Sequence, residues 1–152
     1  MSAQSDLEYL RRAIVVSQAA RDHGNHPFGA VLVAPSGAIV LEAENSVTTE
    51  NDVTNHAETN LVRLASRTIR HDDLPRYTCY TSCEPCAMCA GAIVHARIAR
   101  LYYGAGDVKG GAVEHGARVF DQPQCLHRPE VYAGIGAEPA GALLRDFFRA
   151  RR

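Results

Sequence analysis

The sequence predicts one three-layer α/β domain, and three observations carry that expectation. Segments with helical spacing of apolar residues alternate along the chain with short β-prone runs, the pattern of helices packed on a sheet. At 152 residues and 46% hydrophobic content, the chain is long enough to bury one core and short for two. No internal repeat, low-complexity tract or linker divides it, so residues 1–152 read as a single domain.

The elements follow in order. Ser5-Asp6-Leu7-Glu8 has capping-box spacing, and Leu7, Leu10, Ile14, Val15 and Ala19 recur at helical intervals until Gly24 ends the pattern. Phe28–Ala34 and Ala38–Ala43 read as antiparallel strands joined by a turn at Pro35-Ser36-Gly37. Asn45–Asn55 is polar and aperiodic; a helix follows, with Ala57, Leu61, Leu64 and Ala65 on its buried side. Tyr77–Thr81 alternates as a strand, Pro85 suits the first turn of a helix to about His95, and Ala99–Tyr103 is a further strand. Gly104–Gly116 reads as a long loop that shapes a pocket rim and holds Asp107, Lys109 and His115. Glu130–Ala133 forms a last short strand, and Glu138–Arg149 a helix with Leu143, Leu144, Phe147 and Phe148 as its apolar stripe.

Charge and cysteine usage narrow the function. Sixteen Lys and Arg against 17 Asp and Glu create no field that demands a polyanionic partner, which leans toward a small-molecule substrate. Met1–Asp6 lacks a basic leader with an apolar run, and no apolar stretch approaches the roughly 20 residues of a membrane span, so the expected location is cytoplasmic. Three of the five cysteines, Cys83, Cys86 and Cys89, crowd within seven positions, which suits thiolate chemistry better than a disulfide framework.

Two short motifs carry the chemistry: His56-Ala57-Glu58 and Pro85-Cys86-Ala87-Met88-Cys89. Cysteines three apart at a helix start share a face, and the positive helix end favours the thiolate that Zn2+ requires. Cys86 and Cys89 have that spacing, His56 offers a third ligand, and the fourth tetrahedral position is left for water. Glu58 is the natural base for that water. Residues two apart in a helix point about 200° away from each other, so His56 must sit at or before the first turn, with Asn55 as the helix cap. Were Cys83 a fourth ligand, the tetrahedron would close and the zinc would be structural; Glu84-Pro85 turns that thiol elsewhere. A structural zinc-binding module is thus the rival of another class. Cys79 and Cys125 read as small buried residues or idle thiols.

His-x-Glu followed by Pro-Cys-x-x-Cys marks zinc-dependent deaminases. With Cys83–Ile93, from about Leu7 to Arg152, the chain resembles the cytidine deaminase-like superfamily, in its guanine, nucleobase and tRNA adenosine deaminase branch. The resemblance implies an α/β/α sandwich around a five-stranded mixed sheet, zinc on His56, Cys86 and Cys89, Glu58 as proton shuttle, and commonly a homodimer. It also places Asn45, Phe28, the Ala57 backbone and the Ser82 region at the substrate. His26–Val31 and Thr81–Cys86 look like guanine and related nucleobase deaminases; Ala90–Arg100, the stretch around Tyr103–Ala112 and Leu143–Arg152 look like tRNA adenosine deaminases. In the latter the loop typically begins Gly-Ala-Arg-Asp followed by Lys-Thr-Gly, whereas here Gly106 replaces the arginine and Gly110 the threonine, and the lost guanidinium weakens a phosphate contact. The leading expectation is hydrolytic deamination of a free aminated base, guanine first, cytosine or an aminated triazine next. The alternative is tRNA adenosine-to-inosine deamination.

Overall fold

Five strands form one mixed sheet. The computed structural model describes residues 3–135 and 137–150. Its elements are α1 (Ala3–Asp22), β1 (Gly29–Val33), β2 (Ile39–Glu44), the short α2 (Val47–Glu50), α3 (Ala57–Thr68), β3 (Thr78–Cys83), α4 (Ala87–Ala96), β4 (Arg100–Ala105), β5 (Glu130–Ala133) and α5 (Ala137–Ala150). β1 pairs antiparallel with β2 and β3, while β3–β4 and β4–β5 run parallel.

Side-chain alternation in the central strands divides the core in two. Ala30 and Leu32 of β1, Cys79 of β3 and Leu101 and Tyr103 of β4 pack with Leu61 and Ala65 of α3 and Ala90 and Ile93 of α4. Val31, Val33, Tyr80 and Tyr102 pack with Leu10 and Val16 of α1 on the opposite face. There Tyr80 stacks on Tyr102 and Tyr102 on Tyr132, with ring centroids 4.6 Å apart in each pair. Gly29 lets α1 approach β1 closely: a Cβ there would lie 2.4 Å from the Ala13 carbonyl oxygen and 2.5 Å from the Ser17 nitrogen.

The structure adjusts several expectations. α1 starts at Ala3, so Ser5 lies inside the helix rather than capping it. Asp6 instead turns inward, where it accepts a hydrogen bond from the Tyr80 hydroxyl. Leu64, expected on the buried side of α3, is 41% exposed, because the buried stripe runs through Ala57, Glu58, Leu61 and Ala65. The polar stretch after β2 contains one helical turn, α2. The Leu143, Leu144, Phe147 and Phe148 side chains, and Arg151 and Arg152, lie outside the described residues.

Candidate active site

His56 and Cys86 are the N-cap residues of α3 and α4, both with extended backbone. The geometric conflict between His56 and Glu58 is thereby resolved, since His56 stands just outside the helix and Glu58 in its first turn. Asn55 is not the cap; its side-chain amide donates to the Ser46 hydroxyl and helps tie down the connecting loop. Pro85 likewise precedes the cap of α4 rather than opening the helix.

The ligand atoms of His56, Cys86 and Cys89 all lie within 4.8 Å of one another. His56 Nδ1 is 3.4 Å from Cys86 Sγ and 3.6 Å from Cys89 Sγ. A tetrahedral ion with its usual zinc–nitrogen and zinc–sulfur bond lengths separates these atoms by about 3.5 Å, so the arrangement fits zinc without rearrangement. Cys83 is buried at the end of β3 and is not part of the cluster, which leaves three candidate ligands among the described residues. Three ligands and an open position describe a catalytic rather than a structural site.

Electrostatics agree with that reading. A hydrogen bond from Cys89, and one with His56, bring the Cys86 thiol down to about 4 despite burial, while Cys89 is held high by sharing its proton with Cys86. Hydrogen bonding to Cys86 raises His56 above its ordinary value. The cluster thus attracts positive charge, as a cation site must. Burial pushes the Glu58 carboxyl up to about 7. Cys89 is completely buried and its sulfur lies 3.2 Å from the Thr59 hydroxyl, which orients it from behind.

A cavity of about 250 Å³ opens on the cluster, walled by His26, Phe28, Asn45, Glu58, Glu84 and Asp107, among others. Phe28 and Asn45 are among its lining residues. Asn45 Oδ1 accepts from the Val47 amide, so the part of this side chain left for a ligand is its Nδ2 donor rather than both ends of the amide. Ser82 does not line the cavity. β3 alternation turns it toward α1, where its hydroxyl accepts from the Gly29 amide. Ala57 is fully buried between His56 and Glu58 and also lies outside the lining. Sequence reasoning missed Glu84 and gave His26 no role; the available signal for Glu84 was an acidic residue ending a buried strand beside a metal-binding cysteine.

Fold and site together define a zinc-dependent deaminase, a hydrolase of amidine C–N bonds. The chain belongs to the family described as the cytidine and deoxycytidylate deaminase zinc-binding region, whose model matches residues 3–105. It is 44% identical over 144 residues to a tRNA-specific adenosine deaminase of Agrobacterium fabrum, covering 95% of this chain and 94% of that one. A solved tRNA:A34 deaminase that edits adenosine to inosine at the wobble position superposes with a TM-score of 0.85 at 43% identity, over 90% of this chain and 99% of the other. A guanine deaminase of Bacillus subtilis superposes with a TM-score of 0.65 at 36% identity, over 87% and 85%.

These likenesses overturn the guanine-first, free-base expectation. The segments that suggested it, His26–Val31 and Thr81–Cys86, supply β1 and β3, and two of their residues, Gly29 and Ser82, bond to each other. Both segments also carry cavity residues, His26 and Phe28 in the first and Glu84 and Cys86 in the second, so a likeness there reports the shared sheet and pocket without choosing the substrate. Balanced net charge was a weak guide too, because a sum over the surface says nothing of how charge is distributed. Among the described residues, no helix is long and apolar enough to cross a membrane.

Proposed function

We propose that this single-domain protein converts adenosine in tRNA to inosine by hydrolytic deamination. The observation that carries the reading is the end-to-end likeness to tRNA-specific adenosine deaminases, stronger in identity and superposition than the likeness to a guanine deaminase. The cavity of about 250 Å³ has room for one ring system and is compatible with a base presented by a polymer.

His56, Cys86 and Cys89 would hold the zinc, which when bound would act as a Lewis acid that eases loss of a proton from water near neutral pH. Glu58 takes that proton and returns it to the ring nitrogen beside the amino-bearing carbon. The hydroxide adds at that carbon, Glu58 carries the proton of the new hydroxyl to the amine, and the C–N bond breaks to release ammonia and leave the carbonyl. A carboxyl near neutrality both accepts and donates efficiently, which the burial of Glu58 provides. Asn45 donates from Nδ2 to the heterocycle edge, and Phe28 lies against the ring. The homodimer expected for this branch is part of the reading, and light scattering of the purified protein tests it.

Ammonia release from a panel of free bases, nucleosides and a tRNA anticodon hairpin tests the substrate. The hairpin should be turned over, with activity falling steeply as salt is added because phosphate contacts release counterions. Turnover confined to free bases would reject the reading.

A further inference from the structure

Glu84 stands two residues before a metal-binding cysteine, and its carboxylate is enclosed by a single loop. The side chain is 0% exposed. Oε1 accepts from the Asp107 amide at 3.0 Å and lies 2.7 Å from His115 Nδ1. Oε2 accepts from the amides of Val113, Glu114 and His115 at 3.0, 3.0 and 3.1 Å. Backbone bonds continue the tie, because the Glu84 amide donates to the Ala105 carbonyl and Ala112 donates to the Pro85 carbonyl. The loop closes so tightly that a Cβ on Gly111 would lie 2.4 Å from the Glu84 carboxyl carbon.

The same loop places Asp107 and Gly110 in the cavity wall, and Asp107 Oδ1 in turn accepts from the amides of Lys109 and Gly110. A buried carboxylate with five donors is satisfied only in this one loop arrangement; leaving those donors unmet in a buried place is unfavourable. Four of the five donors are backbone amides, so the carboxylate fixes the path of the chain itself.

We propose that Glu84 is a positioning residue: its carboxylate locks the 106–115 loop against the end of β3 and so sets the cavity wall that the substrate ring and its flanking nucleotide meet. This rests on the tRNA reading for the identity of the substrate, but the locked loop is independent of it. One short segment thus serves two ends of the site, with Cys86 directed to the metal and Glu84 to the wall.

Two measurements on zinc-loaded Glu84→Gln test it. Hydrogen exchange without substrate should quicken at the amides of Asp107, Val113, Glu114 and His115 while β1 and α3 stay protected. With the substrate identified by the panel, KM should rise about tenfold and kcat change less than about threefold, at unchanged zinc content. A merely structural role would lower the active fraction, and with it the apparent kcat, leaving KM alone. His115→Gln removes one donor from a partly exposed side chain and keeps the test open should Glu84→Gln not fold; it should shift exchange at the same loop and KM in the same direction, by roughly threefold. Unchanged loop exchange overturns the proposal whatever the substrate proves to be, and so does an unchanged KM. Failure of the hairpin as a substrate would instead strike the function reading, leaving exchange to decide the role of Glu84.

Discussion

His56 Nδ1 and Cys86 Sγ face each other across 3.4 Å from the N-caps of two different helices. Two positive helix ends therefore converge where two thiolates and a histidine must gather around a cation, and the extended backbone of each cap aims its side chain off the helix axis. Cys86→Ala should remove the bound zinc and lower turnover by more than about 100-fold, as loss of a ligand exceeds the effect of losing its supporting contacts. Metal analysis beside an ammonia assay checks this; activity retained without zinc would refute it.

Asn45 offers its donor end to the cavity while its oxygen serves the turn into α2. Asn45→Asp keeps the oxygen and loses the donor, and should raise KM by about three- to tenfold with the fold intact. Steady-state kinetics and circular dichroism on the same samples separate the two effects.

His115 is held above its ordinary value of 6.5, chiefly by hydrogen bonding to Glu84, with the nearby charges of Glu84, Glu114 and Asp107 adding to this. A raised folded-state value means the stabilisation is complete below 6.5 and fades as pH climbs through the raised value. The difference in Tm between the parent and His115→Gln should therefore be largest below 6.5 and shrink as pH rises above it, at matched zinc content. A difference that grows with pH would contradict the assignment.

Leu61 is 1% exposed at the centre of the α3 and α4 layer. Leu61→Ala should destabilise the protein by about 2–5 kcal/mol, the range for emptying such a site. Gly29→Ala, which forces a Cβ into the backbone of α1, should also destabilise, and urea unfolding measures both.

Much of this was legible in the sequence where local spacing decides the outcome. β5 has its expected bounds, α3 follows its apolar periodicity although Leu64 faces outward, α4 begins at Ala87 rather than at Pro85, and His56, Cys86 and Cys89 come together where they could hold a metal ion. Long-range arrangement was less accessible. Ser82 is a cavity residue or a packing residue depending on which way β3 faces, and its bond to Gly29 spans 53 positions. The burial of Glu84 depends on a loop some 23 to 31 residues later that folds over it. Substrate choice was misread because His26–Val31 and Thr81–Cys86 supply strands and cavity wall alike, and a likeness there does not single out one substrate.

Inosine formed in a tRNA anticodon hairpin by the zinc-loaded protein and by zinc-loaded Glu58→Gln tests the central claim most directly. The account predicts inosine and ammonia in equal amounts from the parent, and a loss of about 10²- to 10⁴-fold in the variant at full zinc occupancy. Equal inosine yields from the two proteins, or no inosine from the parent while a free base is deaminated, would contradict it.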